Sequence, residues 1–187
     1  LMLYEGVGTE ENKEEAAIYF KQAAEQGDSG AMFNYGLMLS QGEGVEQNKE
    51  EAVKYYKQSA AKGRAEAMFN LAYALSKGEG CGINLRDSAK FYKMAADKGI
   101  PQAMTQYGIM LSKGDGVREN KKESARYFEM AAEKGDPEGM TYFGSALSRG
   151  EGTQIDKPEA MRYFKMAADK GIDEALDYYE IIRKEVS

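Results

Sequence analysis

Glycine recurs in this sequence at a fixed step of 36 residues. Gly27, Gly63, Gly99, Gly135 and Gly171 share one register, and Gly6, Gly42, Gly78, Gly114 and Gly150 a second. Gly8, Gly44, Gly80, Gly116 and Gly152 share a third, and no insertion breaks the spacing. A period of this length constrains the chain to a stack of equivalent units. One unit alone cannot hide its apolar face; its neighbours cover it.

Each period reads as two helices. In the unit around Gly30 to Gln41, Ala31, Met32, Tyr35, Gly36 and Leu39 fall at helical spacing and mark one face. Gly42 and Gly44 close that helix, because glycine adopts the positive φ of a helix C-terminal cap without a Cβ clash. Asn48 opens the second helix with Glu51 three places on, a variant of the capping box. Asn12/Glu15, Asn84/Asp87, Asn120/Glu123 and Asp156/Glu159 repeat the arrangement. Ala52, Tyr55, Tyr56, Ser59 and Ala60 form the second apolar face, and Gly63 ends it. Pro101, Pro137 and Pro158 fall in first turns, where a missing N–H costs little. No segment alternates with period two, so no strand is predicted.

The expected fold is all-α: a right-handed α-solenoid of 36-residue antiparallel helix pairs. Residues 1–187 form a single repeat array. Residues 1–27 are a partial repeat, 28–63, 64–99, 100–135 and 136–171 are full repeats, and 172–187 are a terminal half repeat. Small residues (Gly36, Ala72, Gly108 and Gly144 on first helices; Ala24, Ala60, Ala96, Ala132 and Ala168 on second helices) mark close approach, with aromatic rings filling the gaps beside them. In the last helix Glu180 and Arg183 replace a small residue and a leucine. That reads either as a polar capping helix or as the effect of a segment boundary.

The repeated text Ala31…Tyr35-Gly36…Leu39…Gly42-x-Gly44-Val45…Ala52…Tyr55-Tyr56…Ala60…Gly63 resembles the Sel-one-like repeat family, a relative of the tetratricopeptide repeats. The resemblance covers nearly the whole chain. It implies an α-solenoid acting as an adaptor that assembles other proteins, and it implies no substrate. Some members carry paired cysteines in each unit. This chain has Cys81 alone, which fits that disulfide-bonded branch poorly.

Several chemistries are disfavoured by the residues themselves. Histidine is absent, which removes the commonest general base and zinc ligand. Net charge is −6 with no basic block, so a nucleic-acid partner is not expected. No apolar run approaches the roughly 18 residues of a membrane span. One cysteine forms no internal disulfide, which favours a cytoplasmic, reducing compartment over an oxidising one without fixing the location. The first residue is Leu1, so a longer parent chain is expected, with any leader or further domain lying beyond this segment. The Gly-Glu-Gly of Gly42 to Gly44 is not read as a phosphate loop. Such a loop opens a helix, whereas these glycines close one. Gly114 to Glu123 lacks the alternating ligands of a calcium loop. The aromatic doublets and Met32, Met68, Met104 and Met140 recur in every unit and read as core. No catalytic residue, metal ligand or cofactor site is predicted.

Recognition is therefore assigned to helical positions that vary between units. By resemblance to tetratricopeptide geometry, first helices line a concave groove, with Phe33, Leu37 and Gln41 facing inward beside Asn34. The equivalents are Phe69, Tyr73 and Lys77 beside Asn70, then Thr105, Ile109 and Lys113 beside Gln106. In the last full repeat they are Thr141, Ser145 and Arg149 beside Tyr142. The groove is expected to run from apolar and aromatic to polar and basic, suiting a peptide with a hydrophobic plug and an acidic stretch. The alternative that Phe33 and Phe69 pack against a neighbouring helix stays open. The expected function is a protein or peptide scaffold, with a non-catalytic regulatory segment of a larger enzyme or signalling protein as the second reading. Oligomeric state is not read from the sequence.

Overall fold

A computed structural model describes residues 12–186. Among these residues there are ten helices and no strand: α1 (Lys13–Glu25), α2 (Ser29–Gln41), α3 (Lys49–Ala61), α4 (Ala65–Lys77), α5 (Leu85–Asp97), α6 (Pro101–Lys113), α7 (Lys121–Glu133), α8 (Pro137–Arg149), α9 (Lys157–Ala168) and α10 (Asp173–Val186). The fold is an all-α solenoid of paired helices. Packing divides the chain into two compact units, Leu1–Phe91 and Tyr92–Ser187, with the division inside α5. The partial repeat's glycines at positions 6 and 8 lie outside the described residues.

Hairpin geometry follows from the caps. Gly42, Gly78, Gly114 and Gly150 end α2, α4, α6 and α8 in the left-handed conformation, each donating its N–H to the residue four back. The chain then returns so that the amide of the next N-cap residue donates to a leucine carbonyl of the helix just left. Asn48 N–H meets Leu39 O at 2.8 Å, and Asn84, Asn120 and Asp156 repeat this on Leu75, Leu111 and Leu147. The same N-cap side chains accept from Glu51, Asp87, Glu123 and Glu159 backbone amides at 2.9–3.1 Å. The asparagine Nδ2 groups donate onward to the acid side chains, as from Asn84 to Asp87 at 2.7 Å. Each such cap stabilises its helix by about 1 kcal/mol.

Within a pair the helices lock ring against glycine. A Cβ on Gly36, Gly108 or Gly144 would lie 2.9, 2.6 or 3.0 Å from the ring of Tyr56, Phe128 or Phe164, respectively. Only a bare backbone admits these aromatic side chains. The first members of the doublets meet the preceding helix edge-on: Tyr35–Tyr55, Tyr107–Tyr127 and Phe143–Tyr163 have centroids 4.8–5.0 Å apart. Met32, Met68, Met104 and Met140 are buried as expected. In the second unit Phe128, Met140, Phe143, Leu147, Tyr163, Phe164 and Ile182 share one core. In the first, Ala24, Ala31 and Met32 pack with Phe20 and Tyr55. Tyr19 departs from the doublet pattern and is exposed.

Two further features bear on the site. In three of the Gly-acid-Gly turns the middle acid reaches back to the lysine that begins the second helix of the previous repeat; Asp115, with Leu85 in the lysine's place, is the exception. Lys13–Glu43, Lys49–Glu79 and Lys121–Glu151 span 3.3, 2.7 and 3.6 Å. The terminal helix α10 pairs Glu180 with Arg183 at 3.1 Å yet exposes Leu176, Tyr178 and Ile181, so its outer face is not uniformly polar. No helix among the described residues is long and apolar enough to cross a membrane.

Candidate interaction site

Where two consecutive first helices flank the N-terminal half of the second helix between them, an open cleft forms. In the first unit the cleft has a volume of about 250 Å³. Leu37, Ser40 and Gln41 of α2 make one wall, Asn70 and Tyr73 of α4 the other, and Lys49, Ala52 and Tyr56 of α3 the floor. The Tyr56 hydroxyl donates to Ser40 Oγ at 3.1 Å, and burial pushes that phenol up. Glu79 closes one end through Lys49 at 2.7 Å, and this hydrogen bond raises the lysine.

The second unit repeats this cleft 72 residues later, with a volume of about 270 Å³. Ile109, Ser112 and Lys113 of α6 replace Leu37, Ser40 and Gln41. Tyr142 and Ser145 of α8 replace Asn70 and Tyr73, and Lys121, Ser124 and Phe128 form the floor. Ser124 is buried and donates to Gly108 O at 2.7 Å, tying the floor to α6. Phe128 and Tyr142 stack, with centroids 5.0 Å apart at 17°. Burial raises the Tyr142 phenol, helped by Glu138, Tyr178 and Glu174. Arg149 and Glu151 complete the rim.

Its electrostatics differ from those of its counterpart. Glu151 lies 3.6 Å from Lys121 and 3.9 Å from Arg149, a looser grip than the 2.7 Å pair in the first unit. Lys113 makes no ion pair among the described residues. A third cleft of about 270 Å³ adjoins this one, sharing Ser145, Arg149 and Tyr178 and adding Phe164, Ile181, Ile182 and Glu185.

Nine of the residues expected to recognise a partner line these clefts: Leu37, Gln41, Asn70 and Tyr73 in the first, Ile109, Lys113, Tyr142, Ser145 and Arg149 in the second. Others do not. Thr105 is fully buried, and its hydroxyl donates to Asp136 Oδ2 at 2.6 Å, so it is not a surface residue. Phe33 is half-buried against Tyr56 at 6.2 Å, with the Arg64 guanidinium 5.3 Å above its ring; it packs within the protein. Asn34, Phe69 and Gln106 are half-buried and Lys77 is exposed, all outside the clefts.

Sequence reasoning missed Lys49, Lys121, Glu79 and Glu151, because recurring letters were assigned to shape. The signal was present: a lysine stands 30 residues before the middle acid of three Gly-acid-Gly turns.

The repeats match the family model described as Sel1 repeat at residues 1–28, 29–63, 65–100, 101–136 and 137–172. A Sel1 repeat protein from Oxalobacter formigenes superposes with a TM-score of 0.88 at 31% identity, over 95% of this chain and 71% of that one. A protective antigen of uropathogenic Escherichia coli strains, displaying an SLR fold, gives 0.91 at 28% identity. That match covers 97% of this chain and 39% of the antigen. Helicobacter pylori cysteine rich protein B shares the fold at 18% identity and a TM-score of 0.56, over 71% of this chain and 95% of that one. No curated protein matches the chain in sequence.

Proposed function

The chain belongs to the Sel1 repeat family, and from that premise we propose that it is a non-catalytic scaffold that docks a peptide segment of a partner protein on its first-helix face. Sel1 repeats generally mediate protein–protein interaction. The observation that carries the finer reading is the recurrence of one cleft in both units, at the same register, with a lysine and an aromatic ring kept in the floor while most wall residues change. Leu37 becomes Ile109, Gln41 becomes Lys113, Asn70 becomes Tyr142 and Tyr73 becomes Ser145. A constant frame with changing walls is how a repeat array reads successive side chains of an extended ligand.

The cleft chemistry favours binding over turnover. Its ionisable groups are lysine–glutamate pairs between repeats, Lys113 and Arg149 in the second cleft, and half-exposed tyrosines, of which Tyr142 stacks on Phe128. Tyr73 and Tyr142 are 44% and 41% exposed, in reach of a ligand. Aromatic side chains so placed are the usual energetic anchors of interfaces.

A phage-displayed peptide library selected on the full chain tests this. Enriched peptides are expected to bind the Tyr73→Asp or Tyr142→Asp chain about thirtyfold more weakly, the equivalent of about 2 kcal/mol for an anchor residue. The variants' helical melting should stay within a few degrees of the parent. A selection that enriches nothing, or peptides that bind both variants as well as the parent, would remove the docking reading.

A further inference from the structure

We propose that the cleft between α6 and α8 accepts the carboxylate of an aspartate or glutamate side chain within an extended partner segment, while an apolar side chain about three residues away occupies the adjoining cleft between α8 and α10. The proposal rests on the docking reading above and specifies its ligand.

Charge carries the first half. The whole chain is acidic, at −6. Yet the α6–α8 cleft is lined by three cations, Lys113, Lys121 and Arg149, against the single carboxylate of Glu151. That carboxylate is shared at 3.6 and 3.9 Å by two of them, and Lys113 makes no ion pair among the described residues. The equivalent cleft of the first unit has Gln41 in place of Lys113, and its lysine and glutamate close on each other at 2.7 Å. The surplus distinguishes this cleft from its counterpart in the first unit. The stacked Phe128 and Tyr142 rings wall one side of the site.

The adjoining cleft carries the second half. It adjoins the first, sharing Ser145, Arg149 and Tyr178, and it adds Phe164, Ile181 and Ile182. Ser148 and the Glu185 carboxylate, which pairs with Lys157 at 3.0 Å, are also in its lining. Ile181 is 53% exposed and offers an apolar contact at the surface. Packed helices lie about 8–10 Å apart, and an extended chain advances about 3.3 Å per residue. One step from cleft to cleft thus corresponds to about three residues. Because the clefts adjoin, a segment that fills both runs past the first, and the carboxylate is assigned to a side chain rather than to a chain end.

The test uses a random dodecapeptide library, displayed with both ends blocked by linker, selected on the full chain. Enriched peptides should share an acidic and an apolar residue three positions apart, allowing one either way. By fluorescence anisotropy, replacing that acid by its amide should weaken binding about tenfold on the parent chain. On the Lys113→Gln/Arg149→Gln chain the acid and amide peptides should bind alike, while the apolar residue still matters. Lys113→Arg should restore the preference for the acid. Peptides that depend on Tyr142 but not on any acid would leave the docking face standing and overturn the acid-accepting cleft. So would selected peptides that, made as free synthetic peptides, bind more than about tenfold tighter with a free C-terminus than with the end blocked. A selection that yields no peptide overturns both.

Discussion

Lys49 holds Glu79 at 2.7 Å across the step from one repeat to the next, and the carbonyl of the same lysine lies directly beneath Gly80. The two contacts differ in kind. The ion pair is half-exposed, and such pairs contribute about 0–1 kcal/mol. The backbone contact tolerates no Cβ: one on Gly80 would overlap the Lys49 carbonyl, and Gly80 has φ +67°. Lys49→Met should therefore shift the melting temperature by no more than a degree or two. Gly80→Ala should cost about 2 kcal/mol or more from strain and overlap together, lowering the melting temperature by several degrees. Equal effects of the two substitutions in a thermal melt would show that the backbone contact does not govern the repeat interface.

Gly108 and Phe128 should behave as a size-matched pair. A Cβ on Gly108 would lie 2.6 Å from the Phe128 ring, which is buried and also stacks on Tyr142. Gly108→Ala alone overpacks the site and should cost about 1–3 kcal/mol. Phe128→Leu alone leaves a void, typically costing about 1–3 kcal/mol. Combined, they should cost less than the sum, with a coupling of at least about 0.5 kcal/mol in a denaturation double-mutant cycle. Strict additivity would mean that the ring moves aside freely.

The hydroxyl of Thr105 is the second partner of a buried carboxylate. Asp136 accepts 2.6 Å from Thr105 Oγ1 and 2.9 Å from the Gly139 amide at the start of α8. Thr105→Val keeps the shape and adds apolar surface, yet it should destabilise by about 1–3 kcal/mol because the Asp136 carboxylate loses a donor. Thr105→Ser should retain most of the stability. A valine variant as stable as the parent in urea would show that the carboxylate finds another partner.

The same residue marks where reading the sequence stops short. The period, the helix pairs, the N-caps and the glycine ends were all legible, because each is a local rule repeated at a fixed step. Membership of the groove was inferred from variability, and variability has two causes. At Tyr73 and Lys113 the varying side chain lines a cleft. At Thr105 it varies because Asp136, 31 residues on, gives one repeat a buried hydrogen bond. Conversely, Lys49 and Lys121 recur for the sake of the repeat interface and still line the clefts. Such overlaps of interface and cleft-lining positions depend on contacts between repeats, which no single unit's text contains.

Alkali should be the chain's weak side. Burial raises the phenols of Tyr35, Tyr55, Tyr56, Tyr107, Tyr127, Tyr142 and Tyr163 above their ordinary value. A hydrogen bond to Glu79 raises Lys49, and one to Asp97 raises Lys93. In every case the folded chain keeps protons that the unfolded chain would release. The stability linked to these groups is therefore present below about pH 10, the unfolded tyrosine and lysine range. It is lost as pH climbs through the raised folded values. On the acid side Glu159 runs the other way: its hydrogen bond from Arg162 holds the carboxyl low, so that contribution is present above about pH 4.3 and lost as pH falls through the lowered value. With no histidine in the chain, no side chain of ordinary pKa titrates between about pH 6 and 8. Melting temperature followed by circular dichroism should thus be flat from about pH 6 to 9 and fall above about pH 10. Tyrosinate absorbance of the native chain should lag behind that of the chain in urea. Tyr107→Phe removes one of the raised phenols and should make the alkaline fall shallower. A melting temperature unchanged through about pH 11.5, or native phenols that ionise together with the unfolded ones, would mean that the rings are not held in a dry core.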